Sequence, residues 1–161
     1  MHGFRLLIAL APLALAALAA LAAPPAAAQA LIETDTLRAY ELSAAFDDIA
    51  FDLTLAIEGR GFKVDGVSHV GEMLNRTASA VGAEVQVYAH AEVTQFCSAT
   101  LSRTAMEVDA LNIAFCPYGI FTFQRAGSDM VTIGYRRMPA GAMQEVDAML
   151  HAIVREAAGL D

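Results

Sequence analysis

The residues most able to do covalent chemistry in this sequence are two cysteines, Cys97 and Cys116, with eighteen residues between them. That spacing is not Cys-x-x-Cys, the arrangement that sets two thiols at one helix N-terminus and lowers the pKa of one of them. Two cysteines are also too few for a multi-cysteine metal cluster. Three readings remain: a structural disulfide, a redox-active or metal-loaded pair (copper or haem), and two buried thiols acting as small hydrophobes. In an oxidising compartment two thiols in one small domain favour the structural pair. Closing a loop of roughly twenty residues stabilises by about 3 kcal/mol in the chain-entropy picture.

Other chemistry-bearing residues are scattered. His69, His90 and His151 fall on different segments, and no two have the i,i+4 or His-x-His spacing that turns two imidazoles toward one metal. A soft site drawing on His69, Met73, Cys97 or Cys116 is conceivable but not demanded by spacing, so no metal or cofactor is expected. His90 falls on the polar phase of a strand pattern. His151 sits near the end of a helical pattern, where positive charge is welcome. Arg76 and the Arg136-Arg137 pair are the best cations for holding an anion or carboxylate, the competing reading being ordinary surface ion pairing. Tyr118 and Tyr135 offer a stacking face or a hydroxyl, although strand aromatics usually pack. The ligand-contact candidates are therefore His69, Arg76, Tyr118 and Arg136. Met73, Met143 and Met149 lie on apolar stripes and are read as core. The sequence holds no Gly-rich phosphate loop, nucleophile elbow or Ser-His-Asp arrangement.

The chain's start sets the compartment. Met1–Arg5 is a short basic segment, Leu6–Ala23 an unbroken apolar run, Pro24-Pro25 a helix stop, and Ala28-Gln29-Ala30 a small-x-small site. Residues 1–30 thus read as a cleaved signal peptide, the alternative being an uncleaved anchor. The expected location is periplasmic or secreted, with cleavage after Ala28 or Ala30 and no membrane-embedded segment thereafter. Cleavage removes Arg5 and no acid, so 10 Lys+Arg become 9 against 18 Asp+Glu, and the formal charge moves from -8 to -9. Such an acidic chain does not suit a nucleic-acid surface. The 161 residues, 57% hydrophobic and 17% charged, suit one folded domain and exclude a disordered acidic tail.

The elements that must position these residues read as follows. Residues 31–36 are a polar lead-in, and Leu37–Leu42 is a first strand. Ser43 is placed to cap a helix whose stripe is Phe46, Ile49, Ala50, Leu53 and Ile57, with Asp47 and Asp48 near its positive end and Gly59 and Gly61 closing it. A short strand from Phe62 runs toward His69, and a second helix carries Met73, Leu74, Thr77, Ala78 and Val81 up to Gly82. Glu84–Thr94 alternates with period two, as a strand with one wet face does. Ser98–Asp109 reads as a helix turning Leu101, Ala105 and Val108 inward. Asn112–Gln124 reads as a strand interrupted by Pro117 and Gly119, which argues for an edge or a bulge. A turn at Ala126–Asp129 leads to a return strand over Met130–Met138. A last helix buries Met143, Val146, Met149, Leu150, Ile153, Val154 and Ala157. The expected fold class is α+β: an antiparallel sheet of about five strands with helices packed on one face, forming a single domain over 37–159.

Gly-Arg-Gly-Phe at 59–62, Met73-Leu74-Asn75-Arg76-Thr77, Gln95-Phe96-Cys97-Ser98, Phe115-Cys116-Pro117-Tyr118 and Gly134-Tyr135-Arg136-Arg137-Met138-Pro139 resemble an exported branch of the domain of unknown function 302 family. The likeness runs over roughly Leu37 to Ala158, and the segments around the cysteines are its most specific part. It implies a TATA-binding-protein-like β-α-β(4)-α fold and carries over no catalytic residue. The functional expectation is a non-catalytic exported binding or accessory protein for an unknown small ligand or periplasmic protein. The alternative is a thiol or metal redox accessory built on Cys97 and Cys116. The strand edge that Pro117 breaks leaves room for a homodimer.

Overall fold

The computed structural model describes residues 30–160; the signal segment read at the N-terminus lies outside them except for Ala30. Six strands form one antiparallel sheet in the order β1-β2-β6-β5-β4-β3. They are β1 (Ala30–Glu33), β2 (Leu37–Ser43), β3 (Val64–Ser68), β4 (Tyr88–Phe96), β5 (Tyr118–Arg125) and β6 (Met130–Arg136). Helix α1 (Phe46–Glu58) joins β2 to β3, and α2 (Val70–Thr77) with a 3-10 turn joins β3 to β4. Helix α3 (Ala99–Val108) and a 3-10 segment over Ala110–Phe115 fill the β4–β5 connection, and α4 (Gln144–Ala157) closes the chain.

Alternation along the strands sends Tyr40, Leu42, Ile120, Val131, Ile133 and Tyr135 to the face covered by α1 and α4. The stripe of α1 (Phe46, Ile49, Leu53, Ile57) and that of α4 (Val146, Leu150, Ile153, Val154) bury against this face. Asp47 and Asp48 lie in the first turn of α1 as its positive end favours. Helix α2 follows the edge strand β3 and packs on β4, with Gly71 against its backbone. A methyl group on Gly71 would come within 2.8 Å of the Ala91 nitrogen. Strands β2 and β6 also approach closely, since a Cβ on Gly134 would lie 2.4 Å from that of Ala39.

The α+β sheet with its two principal helices on one face is as expected, with six strands instead of five. The additional strand is β1, formed by the segment read as a lead-in; its four residues pair with Glu41–Arg38 of β2. Several local readings are corrected. Ser43 ends β2, and α1 is capped at Ala45 with no side-chain bond. Gly61 (φ 77°) takes the left-handed turn after α1, whereas Gly59 is right-handed helical. Met73, Leu74 and Val81 are exposed, so the α2 stripe is not core. Val108 at the end of α3 is exposed as well. Strand β4 starts at Tyr88, not Glu84, and Thr94, on the phase read as wet, faces the core together with Phe96. Residues 112–115 are 3-10, not strand, and Pro117 stands immediately before β5. β5 is interior, between β6 and β4, so Pro117 marks a strand start rather than an edge.

Candidate functional site

The face of the sheet opposite α1 and α4 carries its own apolar row. Phe121 and Phe123 of β5 stand beside Val93 and Ala91 of β4, because Val93 pairs with Phe121 and Ala91 with Phe123. These side chains sit on alternate positions to Ile120 and Thr122, whose side chains enter the core. Two hollows lie along this row and share Val93 and Phe121 as a common wall. One, of about 180 Å³, is closed by Val70 of α2, Tyr88 and Phe123. The other, of about 270 Å³, is bounded by Phe115 and Pro117 from the β4–β5 connection, by Gln95 and Leu37, and by Arg136. The rings of Phe121 and Phe123 stack at 6.1 Å, and the Arg125 guanidinium lies 5.4 Å from the Phe123 centroid. Together the hollows form one trough, apolar at the Phe123 end and mixed at the Arg136 end.

Arg136 differs from the four arginines that are ion-paired. Arg38 and Arg137 meet Glu33, Arg60 meets Glu156, and Arg103 meets Glu107. Arg136 is exposed at the end of β6 and, among the described residues, has no hydrogen-bond or ion-pair partner. No Asp or Glu lines the hollow it borders.

At the opposite side of the same rim lie the cysteines. The Cys97 thiol donates to Cys116 Sγ at 3.3 Å; both are half-buried free thiols, not a disulfide. Ser102 of α3 reaches Cys116 Sγ at 3.4 Å and the Tyr118 hydroxyl at 2.8 Å. Burial first, and then the hydrogen bond with Cys116, push the Cys97 thiol up to about 11. Burial likewise holds the Tyr118 phenol at about 12. Cys97 is therefore protonated and weakly nucleophilic at neutral pH. The connection Cys116–Pro117 is a cis peptide.

A third cluster lies under α4. Asp147 is buried and accepts from the Met138 backbone N–H (2.9 Å) and the Tyr135 hydroxyl (3.3 Å). Arg38 donates to Tyr135 Oη at 3.4 Å and to Glu33 at 2.6 Å, tying β1 and β2 to this group. Burial, followed by the Asp147 charge, lifts Tyr135 to about 12. His151 Nε2 and Tyr40 Oη are 2.8 Å apart. His151 lies in the middle of α4 rather than near its end, and burial, then Arg38 and Arg155, lower its pKa, so it is held neutral rather than charged.

The four ligand-contact candidates do not converge. Arg136 borders the trough. Arg76 is exposed on α2, and His69 precedes that helix with its Nδ1 2.8 Å from Glu92 Oε1. Tyr118 is 1% exposed and held by Ser102, out of a ligand's reach. Cys97, Met73 and His69 do not gather, and among the described residues no three His, Cys, Asp or Glu side chains are arranged to hold a metal ion. Sequence reasoning missed the Phe121–Phe123–Val93 row because strand aromatics were assigned to packing. Its signal was the second apolar phase of 119–123, which gives β5 two apolar faces where one was needed.

Neither a family model nor a curated protein matches this sequence. Among solved structures, the chain is similar to a crystal structure described as an uncharacterized conserved protein DUF302 from Bacillus stearothermophilus. The TM-score is 0.64 at 15% sequence identity, with 77% of this chain and 99% of that chain covered. The fold is therefore DUF302-like, in agreement with the resemblance carried by the residues.

Proposed function

We propose that this chain is an exported, non-catalytic binding or accessory module that holds a small ligand on the open face of its sheet. The observation that carries the reading is the trough along Val93, Phe121 and Phe123: an apolar, partly open surface between fixed rims, backed by a fully packed core. Its larger hollow, about 270 Å³, approaches the size of ordinary small-molecule sites. The raised Cys97 thiol argues for the binding reading over a thiol redox catalyst, which needs a thiolate near neutral pH. Export through a cleaved N-terminal signal and pairing of Cys97 with Cys116 in the oxidising compartment belong to the same reading. A second copy of the chain is a competing occupant of the open face.

The test is the protein recovered from the exported fraction. Native mass spectrometry is expected to give a monomer lacking the signal and two hydrogens. The neutral dye N-phenyl-1-naphthylamine is expected to bind with a rise in fluorescence. Phe121→Ser, with an unchanged circular dichroism spectrum, is expected to weaken the dye at least tenfold. A dimer that excludes the dye, or dye binding indifferent to Phe121→Ser, overturns the reading.

A further inference from the structure

The two ends of the trough differ in chemistry, and that difference narrows the ligand. The Phe123 end is lined by Val70, Ala91, Val93 and the two phenylalanines, and its one carboxylate, Glu92, is already taken by His69. The Arg136 end adds Gln95 and a guanidinium that has no partner among the described residues. In a chain with 18 acids against 10 bases, four of the arginines are claimed by a carboxylate, and of the others only Arg136 borders this hollow. An unclaimed one at the mouth of an apolar groove without a competing Asp or Glu is a cation in want of an anion. From Gly119 to Phe123 the trough follows four residue steps of β5, about 13 Å of strand. That length suits an acyl chain of medium size laid along the strand.

We infer that the trough takes a small amphipathic carboxylate, its apolar body along Val93, Phe121 and Phe123 and its head on Arg136. This rests on the open-face reading and adds the ligand's class and orientation. Arg125, at the opposite end, is engaged with the Phe123 ring and is not the head site.

Calorimetric titration with decanoate, decan-1-ol and decyltrimethylammonium separates the two levels. Decanoate is expected to bind at least tenfold more tightly than decan-1-ol, and the cation more weakly than either. Arg136→Gln, at an exposed strand end where folding is spared, is expected to bring decanoate down to the affinity of decan-1-ol. Arg136→Lys is expected to restore part of the loss, and Arg125→Gln to change decanoate binding less than twofold. Equal affinities for acid and alcohol, or an effect of Arg125→Gln in place of Arg136→Gln, overturn the assignment of the head while leaving the open-face reading intact. Failure of all three ligands, together with failure of the neutral dye, removes both.

Discussion

Thr122 is a buried side chain whose chemistry conflicts with its surroundings. It is 2% exposed, lies opposite Ile133 of β6, and its hydroxyl has no hydrogen-bond partner among the described residues. A buried hydroxyl without a partner costs on the order of 1–2 kcal/mol, and valine has the same shape without the polar atom. Thr122→Val is therefore expected to stabilise the fold by about 1 kcal/mol, read as a rise in the urea midpoint at unchanged slope. A loss of stability would mean that the hydroxyl is satisfied by a buried water. Asp147 is the contrasting case, a buried carboxylate with three partners. It was legible in principle: it falls four residues after Met143 and three before Leu150, inside the apolar stripe of α4. An acid in that phase signals an internal partner rather than a favourable helix terminus. The partners, Arg38 and Tyr135, were not legible, because they arrive from strands far along the chain.

Elements were read well where one period dominated. Helices α1 and α4 and strand β6 have single, uninterrupted patterns, and each lies within a few residues of the expected span. Errors fell where tertiary pairing or turn chemistry overrode local pattern. The lead-in over 31–36 carries Glu33, Thr34, Asp35 and Thr36 and looks polar, yet its first residues pair because β2 offers a free edge and Arg38 holds Glu33. Ile113 and Phe115 suit a strand, but Asp109 accepts from the Leu111 N–H and starts a 3-10 turn instead. The contact between elements most open to test is that of His151 on α4 with Tyr40 on β2. Its lowered pKa means that the folded state binds fewer protons than the unfolded chain below the ordinary value of 6.5. The stability this histidine contributes is thus complete above about pH 6.5 and declines as the pH falls below it. Thermal unfolding between pH 7.5 and 5 is expected to show a falling midpoint, and His151→Gln a shallower fall over the same interval. Parallel profiles for the two proteins would show that α4 is not held to β2 in this way.

At the scale of the whole molecule, the open face and the thiol pair are joined by one stretch of chain, Phe115-Cys116-Pro117, which forms a rim of the trough and carries one of the sulfurs. With the sulfurs 3.3 Å apart, forming the bond needs a closure of only about 1.3 Å to reach a disulfide length. Formed in an oxidising compartment, that bond would fix the rim to the end of β4 without remodelling the sheet. Closing this loop restricts the unfolded chain and is expected to add about 3 kcal/mol to unfolding. Denaturant curves of the oxidised protein, with and without reductant, are the measurement, and the Cys97→Ser, Cys116→Ser double variant is expected to match the reduced form. The alkaline side gives an independent sign. In the reduced protein the Cys97 thiol titrates at about 11 instead of 9.0, so its contribution is present below about pH 9 and is lost as the pH rises through about 11. Oxidation removes the thiol and with it that part of the alkaline loss, whereas the loss from Tyr118 and Tyr135, both near 12, remains in either form. Equal stabilities for oxidised and reduced protein, or an alkaline profile indifferent to oxidation, would show that the two sulfurs are neighbours in the fold without being its covalent tie.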